Sequence, residues 1–375
     1  MDSHGARVDV VVIGAGQAGL AVAHYLRRAG LPSREPGSVA TMGGFVVLDD
    51  APAPGGAWRY RWDSLRVQDA HGVHELPGMS MPPLEPDERA SVALPRYFAA
   101  YERAFELPVI RPVRVGAVRD VGGPGGLLAV ETDHGEWLTR AVVNATGTWQ
   151  KPFWPSLPGC ETFAGRQLHT HDFQTAGDFR GRHVVVIGGG TSAVQLLLQI
   201  AEITTTTWVT RRRPEFLARS FDEEWGRAVV AAVDARTRAG LPPESVVGVT
   251  GLPLTEEFQR GIDCGVLAPL PMFARIVPDG VVWGPRDAPP APAPAPAPAH
   301  LAAGVLLWAT GFRAGLNHLA PLHLRVHGGG IVMDGTQVVA DPRLQLVGYG
   351  PSASTIGASR GGREAVRNLR RLLSF

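Results

Sequence analysis

The stretch Val8-Asp9-Val10-Val11-Val12-Ile13-Gly14-Ala15-Gly16-Gln17-Ala18-Gly19 decides the fold class of this chain. Its apolar, β-branched run is typical of a buried parallel strand, and a helical pattern follows over 16–29, with Gly30 as its stop signal. In a dinucleotide-binding turn the first glycine allows the bend, the second lets a pyrophosphate approach, and the third lets the helix pack closely. The stretch therefore predicts a Rossmann-like unit with its three glycines at a pyrophosphate.

A second stretch repeats this pattern: Val184-Val185-Val186-Ile187-Gly188-Gly189-Gly190-Thr191-Ser192-Ala193. Gly188, Gly190 and Ala193 occupy the three small positions, and Thr191 and Ser192 open the helix. The first turn of a helix has free N–H groups and a partial positive charge, both of which favour phosphate. Two such stretches in one chain indicate an enzyme that uses two dinucleotides.

The residue that follows the second strand of each unit predicts which nucleotide binds there. Phe45–Leu48 ends in Asp49, and an acid at that point binds the ribose hydroxyls of FAD or NAD. Thr206–Thr210 runs instead into Arg211 and Arg212, and arginine there accommodates the 2′-phosphate of NADPH. We therefore assign FAD to the first unit and NADPH to the second.

The order of strands along the chain predicts that one unit is inserted into the other. Strand-like sequence ends in Ala145-Thr146-Gly147 and again, after the second unit, in Ala309-Thr310-Gly311. The predicted fold class is α/β, with two Rossmann-like dinucleotide-binding domains. We predict an FAD domain over 1–155 and 313–375 and an NADPH domain over 156–312, with surface insertions at 31–44 and at the Pro-Ala tract 288–299.

Composition excludes several other classes of protein. The net charge of +1 offers no basic face for nucleic acid, and no apolar run reaches the ~18 residues of a membrane helix. Cys160 and Cys264 form no Cys-x-x-Cys pair and no metal-ligand spacing. We expect no metal site, no disulfide framework and a cytoplasmic location.

Two further motifs carry a family resemblance. Gly55-Gly56-Ala57-Trp58 follows Asp49, and Phe163-Ala164-Gly165-Arg166-Gln167-Leu168-His169-Thr170-His171-Asp172-Phe173 precedes the second glycine stretch. With the two glycine stretches and the two Ala-Thr-Gly turns, this arrangement resembles the flavin-containing monooxygenases and the related Baeyer-Villiger and N-hydroxylating monooxygenases. The resemblance covers nearly the whole chain.

The resemblance implies an activity. NADPH would reduce FAD, and a C4a-hydroperoxyflavin would transfer one oxygen atom of O2 to a small organic substrate. Baeyer-Villiger enzymes usually end the linker motif in Trp-Pro, whereas this chain has Phe173-Gln174, which favours nitrogen or sulfur oxidation. The cofactor carries most of this chemistry, which suits a sequence without an evident catalytic triad.

The resemblance also implies individual site residues. His169 would orient the linker or NADP, and Gln68 would replace the asparagine that lies near the flavin in the family. Further FAD contacts are implied in the Gly-Gly-x-Trp motif, in the first Ala-Thr-Gly turn and near the C-terminus. These are Gly56, Trp58, Thr146, Gly147, Gly350, Thr355 and Ile356, with a helix expected over 362–373.

Two other functions stay open on the sequence alone. One is an NADPH-dependent flavin reductase or oxidase without oxygen insertion; the unpaired cysteines argue against its disulfide-reducing form. The other is a non-catalytic flavoprotein redox sensor, although the NADPH stretch argues against it. The oligomeric state also stays open, and a dimer would fit.

Overall fold

The computed structural model describes residues 6–34, 42–70, 73–123, 125–217, 223–243, 251–284 and 298–375. Its α-helices are α1 (Gln17–Arg28), α2 (Ala90–Ala104), α3 (Thr191–Ala201), α4 (Glu223–Arg238), α5 (Glu256–Asp263) and α6 (Thr355–Leu373). Its strands are β1 (Ala6–Ile13), β2 (Phe45–Leu48), β3 (Val109–Ile110), β4 (Val115–Asp120), β5 (Leu128–Thr132), β6 (Gly135–Asn144), β7 (Arg166–His169), β8 (Val184–Ile187), β9 (Thr206–Thr210), β10 (Phe216–Leu217), β11 (Leu252–Pro253), β12 (Leu270–Pro271), β13 (Arg275–Val277), β14 (Gly280–Val282), β15 (His300–Ala302), β16 (Val305–Trp308), β17 (Met333–Asp334), β18 (Gln337–Val338) and β19 (Leu344–Leu346).

The first compact unit comprises the described parts of 1–150, 230–244 and 314–375. Its sheet has the order β17-β18-β19-β6-β1-β2-β3, and β1 pairs in parallel with both β2 and β6. Val10 and Val12 pack with residues of α1 and α6, while Val11 packs into a second cluster with Leu346. Because both faces are covered over its second half, residues 10–13 have no room for polar side chains, which explains the apolar run Val10-Val11-Val12-Ile13.

The helix expected over 362–373 is present, but α6 begins seven residues earlier, at Thr355, so only the predicted start was wrong. The Ser354 side chain accepts a hydrogen bond from Gly357 N and caps the helix. Glycines in the first turns resemble a loop in sequence, but they allow close packing here. A Cβ on Gly362 would lie 3.1 Å from Val22 N of α1.

The second unit comprises the described parts of 151–229 and 245–313. Its five-stranded parallel sheet has the order β12-β9-β8-β16-β7. A three-stranded antiparallel sheet, β13-β14-β15, adds Ile276 and Val281 to the core that contains Val185 and Leu306. The chain therefore forms two α/β units with parallel sheets, which confirms the predicted fold class.

The chain leaves the first unit after Gln150 and returns at Ala314, while 230–244 also belongs to the first unit. As functional domains, the limits 1–155, 156–312 and 313–375 stay a prediction. Residues 35–41 of the insertion and 285–297, which include most of the Pro-Ala tract, lie outside the described residues. No helix among the described residues is long and apolar enough to cross a membrane.

Candidate functional site

The first glycine loop joins β1 to α1 and depends on the absence of side chains. Gly14 has φ +98°, and a Cβ there would lie 2.7 Å from Ala145 O; a Cβ on Gly19 would overlap Gly14 O. Gly16 differs, because a Cβ there would meet only Gly56 Cα at 3.9 Å. The outer glycines therefore shape the loop, and the middle one leaves space beside the backbone.

The start of α1 carries the features of an anion site. Gly16 is its N-cap residue and offers no side-chain acceptor to the first N–H groups, and the first turn contains no acidic residue. Those N–H groups and the partial positive charge of the helix favour a phosphate. The loop and helix start fit the pyrophosphate of the predicted FAD.

Asp49 lies at the end of β2, and its carboxylate is held by the protein. Asp49 Oδ1 accepts a hydrogen bond from Ala15 N at 3.3 Å, and Asp49 Oδ2 pairs with Arg111 Nε at 2.9 Å. Arg111 also forms two 2.7 Å bonds with Glu102, and all three side chains are largely buried. Asp49 is thus fixed beside the glycine loop, and its contact with a ribose stays a prediction.

The Gly55-Gly56-Ala57-Trp58 segment reaches the same loop. Gly56 has φ +51°, and a Cβ on it would lie 2.9 Å from Gly16 Cα. Trp58 packs against the core that contains α1 and α2. The structure therefore brings Gly56 close to the glycine loop, as a shared cofactor site requires.

The end of β6 is held by the segment that returns from the second unit. Thr146 Oγ1 donates to Gly315 O at 2.6 Å, and Gly147 has φ +63°. The buried His318 places Nε2 2.8 Å from Asn144 Oδ1, and burial lowers the pKa of His318 to about 4. A neutral imidazole therefore supports the strand end from which Thr146 and Gly147 extend.

The predicted C-terminal contacts lie around the start of α6. Gly350 has φ +57°, and a Cβ on it would lie 2.9 Å from Thr237 Cγ2. Thr355 and Ile356 are the first two residues of α6, and their side chains lie outside the described part. Their proposed role rests on the helix start that they form.

The second glycine loop joins β8 to α3 and repeats the first. Gly188 has φ +142°, and a Cβ on it would overlap Ala309 O. Apart from the adjoining chain, a Cβ on Gly190 would meet no atom of the described residues within 4 Å, and Ala193 is fully buried. Gly190 caps α3 without a side-chain acceptor, and the first turn, opened by Thr191 and Ser192, holds no acid. This loop also fits a pyrophosphate.

Arg211 and Arg212 follow β9 and are exposed. The same strand is tied to the glycine loop, since Trp208 Nε1 donates to Gly188 O at 2.7 Å. The arginines therefore lie in the part of the unit where a 2′-phosphate is predicted, and they are accessible to one.

His169 ends β7 and is fully buried. Its Nδ1 accepts a hydrogen bond from His171 N at 3.1 Å, and it contacts the rings of Trp154 and Phe312. Burial lowers the pKa of His169 to about 4, so the ring is neutral at pH 7. This geometry suits a residue that orients the linker; the catalytic assignment stays a prediction.

Gln68, the other predicted catalytic residue, lies on the short 3₁₀ turn Val67–Asp69 and is exposed. Its side-chain amide donates to Asp87 Oδ1 at 3.4 Å. Its proposed role near the flavin would require that amide to leave Asp87. Among the described residues no group of three or more His, Cys, Asp or Glu could hold a metal ion.

Comparison with known proteins places the chain in a family. A solved flavin-containing monooxygenase from Stenotrophomonas maltophilia is 34% identical, with a TM-score of 0.77, and the match covers 97% of this chain and 99% of that one. This chain belongs to the flavin-containing monooxygenase family. The family model for pyridine nucleotide-disulphide oxidoreductases also matches, over residues 67–230.

Curated relatives match this chain over a shorter region. The uncharacterized oxidoreductase CzcO of Bacillus velezensis is 27% identical over 211 residues, 56% of each chain. Senecionine N-oxygenase of Tyria jacobaeae is 28% identical over 217 residues, 52% of this chain and 45% of that one. The chain thus spans about half the length of these curated relatives.

Arg111, Glu102 and His318 could not be recognised from the sequence. Arg111, which also binds Glu102, lies 62 positions from its partner Asp49, and His318 lies 174 positions from Asn144. No motif spacing links such distant residues. A cationic partner of Asp49 could have been expected only if Asp49 were known to be buried, because a buried carboxylate without such a partner is costly.

Proposed function

We propose that this protein is an FAD- and NADPH-dependent monooxygenase that inserts one oxygen atom of O2 into the nitrogen or sulfur of a small organic substrate. One observation carries the proposal. The chain matches a flavin-containing monooxygenase end to end and has two glycine loops, each leading into a helix start without a side-chain cap. We place this activity in the cytoplasm.

The first unit would hold FAD. Gly14, Gly16 and Gly19 form the loop for the pyrophosphate, and the N–H groups at the start of α1 would bind it. Asp49 would accept hydrogen bonds from the ribose hydroxyls, with Arg111 holding the carboxylate in place. The Gly56 segment, the turn at Gly147 and the start of α6 would complete the site.

The second unit would hold NADPH. Gly190 leaves room for the pyrophosphate at the start of α3, and Arg211 and Arg212 would bind the 2′-phosphate. The neutral, buried His169 would fix the linker next to β16 rather than transfer a proton. The bound cofactors supply the redox chemistry, in which hydride from NADPH and dioxygen are used by the flavin.

The nitrogen or sulfur preference rests on two observations. The linker motif ends in Phe173-Gln174, and Phe173 is buried in a stack on Phe179 with ring centroids 5.9 Å apart. One curated relative is a senecionine N-oxygenase. A nucleophilic amine or sulfide needs little acid-base help, which suits a site without an evident proton-transfer group.

The test is spectroscopic. The purified protein is mixed with NADPH in air and its flavin absorbance is followed, with a panel of amines, sulfides and ketones. We expect bound flavin, a long-lived oxygenated flavin spectrum, and NADPH consumption that tracks oxidised amine or sulfide. Rapid reoxidation with stoichiometric peroxide for every compound would instead indicate an oxidase or reductase. A protein that binds no flavin would contradict the whole proposal.

A further inference from the structure

Arg61 lies between two indole rings in the first unit. Its Cζ is 4.6 Å from the ring centroid of Trp149 and 5.4 Å from that of Trp58. Tyr60 stacks on Trp149 with an interplanar angle of 15°. The rings stabilise the guanidinium through cation–π contacts and remove it from water.

This guanidinium has no anionic partner in the part of the chain that the structure describes. Its Nε is inaccessible to water and makes no hydrogen bond to the described residues. Burial lowers the pKa of Arg61 to about 10, so the side chain is still charged at neutral pH. Two other arginines of this unit with little exposure pair with acids: Arg111 with Asp49 and Glu102, and Arg343 with Asp120 and Asp341.

A charge that is partly removed from water and has no anionic partner is costly, and the rings leave the inaccessible Nε donor of Arg61 without an acceptor. The two segments that hold Arg61 show where a partner would come from. Trp58 follows Gly56, which approaches Gly16 of the glycine loop, and Trp149 follows the turn at Gly147. Both segments belong to the proposed FAD site.

We propose that Arg61 is a cofactor-binding residue whose guanidinium binds an anionic oxygen or nitrogen of FAD. This inference rests on the proposed function. Two parts of FAD share the required chemistry: the pyrophosphate, which is always anionic, and the flavin ring, which gains negative charge on reduction. A positive charge near the ring would also tune its redox potential.

The experiment uses Arg61→Met, which keeps an unbranched apolar side chain between the indoles and removes the charge. Arg66→Met is the matched control: it removes a charge from the same segment, where the guanidinium donates to Asp87 O. Two quantities are measured: the dissociation constant of oxidised FAD from the apoprotein, and the two-electron midpoint potential of the bound flavin.

Contact with the pyrophosphate predicts at least a tenfold weaker affinity for oxidised FAD. If Arg61 contacts the reduced ring, Arg61→Met should bind oxidised FAD as tightly as the wild type. The midpoint potential of its flavin should then be lower by about 30 mV for each tenfold loss of affinity for the reduced form. Either result supports the proposal, provided that Arg66→Met behaves as the wild type. If both quantities are unchanged in Arg61→Met, the proposal is wrong.

The failure of this inference is distinct from failure of the proposed function. A wild-type protein that binds no FAD contradicts the function, whereas a flavin-binding wild type with an indifferent Arg61→Met contradicts only the role of Arg61. Should Arg61→Met not fold, Arg61→Gln retains a polar head group between the rings. The same two measurements on that variant then decide the question.

Discussion

Individual residues of the glycine loops separate folding from binding. At Gly190, apart from the adjoining chain, no atom of the described residues lies within 4 Å of the position that a Cβ would occupy. We expect Gly190→Ala to fold with a melting temperature within about 2 °C of the wild type, since nothing clashes with the methyl group. NADPH affinity should fall at least about tenfold, or about 1.4 kcal/mol, because the methyl group occupies the space of the pyrophosphate. Thermal unfolding and a fluorescence titration measure the two effects.

Gly188→Ala is the control for that experiment. A Cβ there would overlap Ala309 O, and φ is +142°, which side chains rarely adopt. We expect a loss of about 3 kcal/mol or more in the free energy of unfolding. If Gly190→Ala binds NADPH as tightly as the wild type, Gly190 does not face the nucleotide.

Arg211 decides the choice between the two nicotinamide cofactors. A charge-assisted contact with a phosphate contributes about 1.5–3 kcal/mol, so Arg211→Ala should weaken NADPH binding by roughly 10- to 150-fold. NADH lacks the 2′-phosphate and should lose little. Arg260→Ala, an exposed arginine of α5 in the same unit, is the control for charge alone. An equal loss for NADPH and NADH would place Arg211 away from the 2′-phosphate.

The position of Asp49 beside the first glycine loop could be predicted from the sequence, because it depends on spacing within about 35 residues of one strand–turn–helix–strand unit. The partners of Asp49 could not. The pairing of Arg111 with Asp49 and Glu102 requires β2, β3 and α2 to be assembled. Arg61 could not be singled out from the sequence for a related reason, since the sequence does not show whether an acidic side chain lies next to this arginine in the folded protein.

At the scale of elements, helices α1 and α3 begin in the same way. Neither α1 nor α3 has a side-chain cap or an acid in its first turn, whereas α5 is capped by Thr255 and begins with Glu256 and Glu257. A helix without an assigned ligand can use such caps to stabilise itself. Their absence in α1 and α3 leaves the N–H groups available for phosphates.

Ser192→Asp tests this interpretation through two effects of opposite sign. An acid in the first turn of α3 should stabilise the cofactor-free protein by about 0.5 kcal/mol, since it interacts favourably with the helix dipole. The same charge should repel the pyrophosphate and weaken NADPH binding about tenfold or more, less so at high salt. Urea unfolding and NADPH titration at two salt concentrations check both effects.

Ser192→Asn supplies the neutral control of the same shape, and it should preserve most of the affinity. A loss of affinity that is as large for asparagine as for aspartate would show a steric cause.

The start of α6 illustrates the limit of predicting helix ends from sequence. The expected helix over 362–373 left out the turns at 355–361, because the glycines there are weak helix formers.

At the scale of the whole molecule, the insertion of one unit into the other followed from the order of strand-like segments and the repeated Ala-Thr-Gly turns. The sequence could not show that 230–244 belongs to the first unit. That assignment depends on contacts made far along the chain, such as Gly330 N with Gly240 O and Arg238 with Asp334. Nothing in the local pattern of α4 distinguishes its two ends.

Two buried histidines, His318 in the first unit and His169 in the second, predict how stability depends on pH. Burial lowers the pKa values of His169 and His318 to about 4, from an ordinary value of 6.5. The unfolded chain therefore takes up protons first as the pH falls. The contribution of these two histidines to the free energy of unfolding should be largest above pH 6.5. Each histidine should lower the free energy of unfolding by about 3 kcal/mol when the pH has fallen to 4.

His318→Gln isolates one of these contributions in urea unfolding between pH 7 and 4. The variant keeps an amide that can bond to Asn144 but has no group that titrates, so its stability should fall less steeply than that of the wild type. The difference between the two proteins should change by about 3 kcal/mol over this range. His134→Gln, at a side chain that is 64% exposed, controls for the loss of an imidazole and should retain the wild-type slope. Parallel curves for His318→Gln and the wild type would mean that His318 is not buried as a neutral ring.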